Sequence, residues 1–198
     1  MKLKICGIKD EQNAKQLSAL EVDFLGLIFS KSPRQVDLKK AKRLCEIIHQ
    51  NSKKAIGVFV DESLDFILKA VETAKLDGVQ IYDLISKSMF ELFKEKKLFV
   101  LQVIRVGERL ELPSAIYADM ILFDTKGQFK GGNGVRFDWT LLKNFKKDFA
   151  IAGGIGLENV QELKKLQPKI IDVNSKFENA EGLKDVEKIK QFIRELKK

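Results

Sequence analysis

Histidine occurs once in this chain, as His49 on a helical stretch followed by Gln50 and Asn51. It is read as a surface residue, which argues against histidine catalysis. No cluster of His, Cys and carboxylates has ligand spacing, so no metal site is expected. Cysteine occurs twice. Cys6 falls at a strand end, and Cys45 lies in a helix beside Ala41, Leu44 and Ile48, so both are read as free thiols in a reducing compartment rather than as a disulfide. No apolar run approaches the roughly 18 residues that span a bilayer, and the N-terminus has no signal-peptide pattern, so no membrane partner is expected and the compartment is read as the cytoplasm. No low-complexity linker interrupts the 198 residues, which are read as one domain over 1–198.

The charge is lopsided, with 36 Lys and Arg against 28 Asp and Glu, a formal net charge of +8. A basic balance suits nucleic acid or an anionic metabolite. Its distribution favours the second: Lys39, Lys40, Lys42 and Arg43, then Lys94, Lys96 and Lys97, then Lys188, Lys190, Lys197 and Lys198 fall mainly on amphipathic helical stretches, as solvated outer faces do. Nothing resembles a zinc finger, a helix-turn-helix or an aromatic RNA platform. Nucleic acid is therefore not the expected partner.

Short β-rich runs alternate with helical patterns along the whole chain. The runs are 3–6, 24–29, 55–60, 78–82, 99–104, 120–124, 149–152 and 170–173, with helix-like segments at 11–20, 38–50, 64–75, 88–96 and 185–196. Asp10 and Asp61 are placed to cap the first and third helices. Runs that are apolar throughout, such as 25–29, suit strands covered on both faces. Eight strand–helix alternations predict a single-domain α/β fold, a (β/α)8 TIM barrel with short loops, the length lying just under the usual lower bound of about 200 residues. The rival architecture is an open doubly wound sheet.

In a barrel the loops after the strands share one mouth, and chemistry collects there. Cys6, Arg34, Asp124, Gly154 and Ser175 all fall at such positions. Taken singly, Cys6 reads as a small buried hydrophobe, while Asp124 has the role of a loop cap, and Arg34 that of a surface arginine, as the alternative to a place in the site. Taken together, five segments in order resemble phosphoribosylanthranilate isomerase of tryptophan biosynthesis: Lys4-Ile5-Cys6-Gly7-Ile8; Leu27-Ile28-Phe29 leading to Lys31-Ser32-Pro33-Arg34; Gly131-Gly132-Asn133-Gly134 followed by Phe137-Asp138-Trp139; Ala152-Gly153-Gly154-Ile155 with Glu158-Asn159-Val160; and Asp172-Val173-Asn174-Ser175.

The resemblance implies a cofactor-free Amadori rearrangement of a phosphorylated small molecule by a monomer or homodimer. It makes Asp124 the general acid, which requires a raised pKa, with Asp172 placed to supply negative charge and to contact substrate. It makes Cys6 the general base, which requires thiolate and hence a lowered pKa. Lys4 is read as pointing to the other side of its strand, a poor helper. Arg34 is implied to grip the anthranilate carboxylate, with Arg105, just beyond the fifth strand, as a second inward candidate. Gly153, Gly154, Asn174 and Ser175 are implied to hold phosphate on backbone N–H groups, and Gly132 to belong to a loop closing over the ligand.

Several residues depart from the family's pattern. Gln80-Ile81-Tyr82-Asp83 replaces the usual Gln-Leu-His-Gly, so a histidine contact is absent and Tyr82 stands in its place. Asn174-Ser175-Lys176-Phe177-Glu178 replaces Ser-Ser-Gly-Val-Glu, putting Lys176 where glycine lets phosphate approach. Asn133 replaces a threonine or serine. Two alternatives follow: a related barrel isomerase with another phosphoribosyl substrate, or a non-catalytic phosphosugar or nucleic-acid binder.

Overall fold

The computed structural model describes residues 1–127 and 136–198. Eight parallel strands close into a barrel in sequence order. They are β1 (Lys2–Cys6), β2 (Phe24–Ile28), β3 (Lys54–Phe59), β4 (Gly78–Ile81), β5 (Phe99–Val106), β6 (Met120–Thr125), β7 (Phe149–Ile151) and β8 (Ile170–Val173). β1 pairs with β8, with Lys4 opposite Asp172, and with β2, with Cys6 opposite Gly26. The open-sheet alternative is thereby excluded, because no strand of the eight is left with a free edge.

Alternation along each strand sorts the side chains. Leu3, Ile5, Leu25, Leu27, Val79, Phe123 and Ile171 face outward into the shell beneath the helices, which forms the larger core. Phe24, Ile56, Leu101, Val103, Leu122, Ala150 and Ile170 fill the barrel interior. At about 25 cal/mol per Å² of apolar surface removed from water, these two layers supply the main stabilisation. The interior is a packed core rather than a pore, so ligand chemistry is confined to its upper end.

The helices are α1 (Glu11–Ser18), α2 (Leu38–Gln50), α3 (Leu64–Ala74), α4 (Lys87–Glu95), α5 (Val160–Leu166) and α6 (Val186–Lys197). Asp10 caps α1 as expected, its side chain accepting from the Asn13 N–H. The cap of α3 is Ser63, not Asp61: a capping oxygen must sit one residue before the first turn, and α3 starts at Leu64. Asp61 has a left-handed φ of 56°, and its N–H donates to Asp83.

Alternation is less regular than the expected eight repeats. β5 runs to Val106 and is followed by 107–119 without a helix, while among the described residues between β6 and β7 the helical element is a 3-10 turn, Trp139–Leu142. Apolar side chains from the described parts of these connections cover the core. Leu110, Ile116 and Tyr117 pack on the core, and Phe145 meets Phe123 and Phe149 edge-on at ring separations of 5.0 and 5.8 Å.

Candidate active site

Strand polarity places the ends of β1, β4, β6, β7 and β8 around one polar cavity at the barrel mouth. Cys6, Asp124, Gly153, Gly154, Asp172, Asn174 and Ser175 all line it, together with Gln80, Tyr82 and Lys176. Gly132 and Asn133 lie outside the described residues.

At the floor, Lys4 is fully buried and points inward, toward Cys6 and not away from it. Residues two apart on a strand share a face, so the expected opposite orientation is corrected. Its Nζ donates to Asp172 Oδ2 at 2.8 Å, and its charge acts on the neighbouring Cys6 thiol. Gly26 makes the space, because a Cβ there would lie 3.0 Å from Cys6 Sγ and 3.1 Å from Lys4 Nζ. Burial works against the Lys4 charge, but the Asp172 carboxylate and Cys6 reverse this and raise its pKa. Burial of Asp172 pulls the other way and raises the carboxyl against the two lysines facing it, Lys4 and Lys184. A direct 2.8 Å contact between these buried groups favours the charged pair.

Cys6 departs from expectation. Burial pushes its thiol up from the ordinary value; the ammonium groups of Lys4 and Lys184 oppose this without overcoming it, and Asp172 adds to it. The physical reason is that the thiol sits inside the barrel end, away from water, rather than at an electropositive rim.

Asp124 on β6 is buried, and both its oxygens are held: Thr125 N–H donates to Oδ1 and the Tyr82 hydroxyl to Oδ2, each at 2.8 Å. Burial raises its pKa most, Asp172 adds to that, and the two hydrogen bonds and Lys4 work against it. The expected direction for a general acid is therefore present, with burial as the main cause and Asp172 as a lesser one. Gly153, at φ +85°, lets the β7 loop pass this carboxyl: a Cβ would meet Thr125 Oγ1 at 2.3 Å and Asp124 Oδ1 at 2.9 Å.

Arg34 sits beside the cavity rather than in its lining. Its Nε and Nη2 donate to Glu178 Oε1 and Oε2 at 2.6 and 2.7 Å, so the bidentate edge expected to hold a substrate carboxylate is already occupied. The Nη1 side of the fork is what remains for a ligand. The buried Lys184 joins this cluster, donating to Glu178 Oε1 at 2.7 Å and Asn174 Oδ1 at 2.6 Å. Glu178 and Lys184 were not singled out from sequence, and a lysine with only 1% of its side chain exposed carries no local signal that it is buried. Gly7, at φ +81°, lets Arg34 cross over the chain, since a Cβ would meet Arg34 Cδ at 2.7 Å.

Ser175 opens a single 3-10 turn, Ser175–Phe177. Lys176 is ion-paired with Glu158. Arg105 lies within β5, not beyond it, and is opposite Asp124 in register. Two buried acceptors in the cavity, Gln80 Oε1 and Asp172 Oδ1, have no hydrogen-bond partner. Buried polar atoms are rarely left unpaired, so these two mark where donors of a ligand fit.

A parallel barrel whose mouth joins a thiol, a raised carboxyl and unpaired acceptors is the frame of an acid–base barrel isomerase. Comparison with known proteins narrows the class. The family described as N-(5′-phosphoribosyl)anthranilate (PRA) isomerase matches residues 3–195. N-(5′-phosphoribosyl)anthranilate isomerase of Campylobacter jejuni is 57% identical over the full length of both chains. The tryptophan biosynthesis protein TrpCF of Helicobacter pylori is 36% identical over 98% of this chain, which spans 43% of that longer protein. The crystal structure of the isomerase from Thermus thermophilus superposes with a TM-score of 0.87 at 27% identity, covering 100% of this chain and 98% of the other. The chain belongs to the phosphoribosylanthranilate isomerase family.

Proposed function

We propose that this chain isomerises N-(5′-phosphoribosyl)anthranilate to 1-(2-carboxyphenylamino)-1-deoxyribulose 5-phosphate in tryptophan biosynthesis, an intramolecular oxidoreduction of the aldose–ketose type. The observation that carries this reading is that Cys6 and Asp124, from strands far apart in sequence, open on one cavity that also holds unpaired buried acceptors. Asp124 gives its proton to the ribose ring oxygen as the ring opens to a Schiff base. Cys6 thiolate then takes the proton from the carbon bearing the 2-hydroxyl, and the electron pair neutralises the iminium nitrogen. The resulting enolamine tautomerises to the ketone. Asp172 Oδ1 and Gln80 Oε1 accept from sugar hydroxyls. The Nη1 side of Arg34 meets the anthranilate carboxylate. Backbone N–H groups near Gly153, Gly154 and Ser175, with Asn174, hold phosphate.

The two reacting groups stand in reverse protonation order in the free enzyme. An ordinary carboxyl titrates below an ordinary thiol, and burial raises both groups here, so their usual order is kept. Only the minority form with Asp124 protonated and Cys6 ionised reacts. The profile of kcat/KM against pH is then a bell whose rising limb reports Asp124 and whose falling limb reports Cys6.

The net charge of +8 draws a doubly anionic substrate toward the mouth. The enzyme works in the cytoplasm, a reading supported by both cysteines being free thiols. Residues 1–198 act as one barrel domain, as monomer or homodimer.

The test follows the fluorescence of freshly made N-(5′-phosphoribosyl)anthranilate. Cys6→Ala and Asp124→Asn are each expected to lower turnover by at least about 10²-fold, with melting close to that of the native chain. Native-rate turnover by both folded variants, or an inert native chain, refutes the assignment.

A further inference from the structure

Directly after β4, Tyr82 enters the barrel mouth, its N–H donating to the Phe59 carbonyl at 3.1 Å. The phenol lines the cavity together with Gln80 and reaches across to β6, where its hydroxyl donates to Asp124 Oδ2 at 2.8 Å. The other carboxylate oxygen is held by Thr125 N–H at 2.8 Å. We propose that Tyr82 is a positioning residue for Asp124: the phenol and the Thr125 backbone grip one carboxylate oxygen each and leave the carboxyl a single orientation toward substrate. The inference rests on the reading of Asp124 as the proton donor.

The other charged groups facing Asp124 are Arg105, its register partner on β5, Asp172 from β8 and Lys4 from β1. Among the described residues, Tyr82 is the side chain that hydrogen-bonds this carboxyl. A phenol suits the position chemically. Its oxygen accepts as well as donates, so the contact survives whether Asp124 carries its proton or not. It also stays protonated across the working range, whereas the histidine expected from the family pattern changes charge near neutrality.

The test is kcat/KM against pH for Tyr82→Phe, which keeps the ring and removes the donor, with thermal unfolding as the check on folding. A hydrogen bond to the ionised form favours that form. Its loss is therefore expected to move the rising limb up by about one pH unit, the weight of one charge-assisted hydrogen bond, and to leave the falling limb in place. In Tyr82→His the contact acquires the imidazole's own ionisation, so the rising limb is expected to gain a second inflection near neutrality. That readout remains if the Phe variant does not fold. Native profiles in folded Tyr82→Phe or Tyr82→His overturn the proposal and leave Tyr82 as packing only. Asp124→Asn separates the two readings: full turnover in that variant removes Asp124 as the donor, whereas an inactive Asp124→Asn beside an unshifted Tyr82→Phe removes Tyr82 alone.

Discussion

Replacing Lys4 by Met tests the floor of the site. The ammonium and the Asp172 carboxylate are 2.8 Å apart with side-chain exposures of 0% and 4%. At an effective dielectric of about 20 their attraction is on the order of 6 kcal/mol. That attraction roughly offsets the cost of taking both ions out of water, so the pair itself adds little net stability. The single variant is different, because it keeps the cost of the buried carboxylate and loses the compensation. Lys4→Met is expected to cost about 3–5 kcal/mol, a large part of the 5–15 kcal/mol typical of a domain. Asp172→Leu strands the ammonium and costs a similar amount. The double variant is expected to be more stable than either single one.

The assay is urea unfolding at neutral pH, read as midpoint shifts at constant slope. A pH series adds a sign. In native protein the raised Lys4 contributes stability that is complete below the ordinary lysine value and is lost only as pH rises through the raised one. In Lys4→Met, Asp172 has lost its partner and burial raises its pKa, so the deficit shrinks as pH falls through that value and the carboxyl protonates. The falling limb of kcat/KM is expected to move further up, because Lys4 opposes the rise of the Cys6 thiol. A cost below about 1 kcal/mol, far under the range for a stranded buried charge, or an additive cycle, refutes the reasoning.

Gly153→Ala places a Cβ 2.3 Å from Thr125 Oγ1 at a φ of +85°. It is expected to cost at least about 2 kcal/mol in chemical unfolding, above the left-handed penalty alone, and to lower kcat by displacing Asp124. Glu178 is held below the ordinary carboxyl value: burial pushes it up, but Arg34 and Lys184 prevail. Its stabilisation is therefore present above the unfolded value and lost as pH falls through the depressed one. Glu178→Gln should flatten the acid side of the stability profile measured by thermal unfolding, and should raise KM by releasing Arg34. Burial pushes Cys45 up to about 12, with Asp77 and Glu46 adding to this. Alkylation of folded protein at pH 8, read by mass spectrometry, should leave Cys45 unmodified, whereas rapid labelling there would contradict its place in the core.

What the sequence by itself determined is what neighbouring residues decide. Short β-rich apolar runs placed β1 to β8 within a residue or two of their ends, since strands covered on both faces are apolar nearly throughout. Asp10 was legible as a cap because the cap contact spans three residues. Lys4 facing Cys6 was equally legible and misread, as two strand residues of the same parity must share a face. Asp61 was misread because a cap depends on the helix start to the residue, and periodicity fixes that start less sharply. Tertiary structure alone decided the rest. Lys4 and Asp172, 168 positions apart, meet because β1 closes on β8. Glu178 reaches Arg34 across 144 positions, and Tyr82 reaches Asp124 across 42. The direction of the Cys6 shift followed in turn, because whether a thiol's charged form is favoured depends on how much water the closed barrel removes and which cations it brings near. No local pattern carries that balance, which exists only once the last strand pairs with the first.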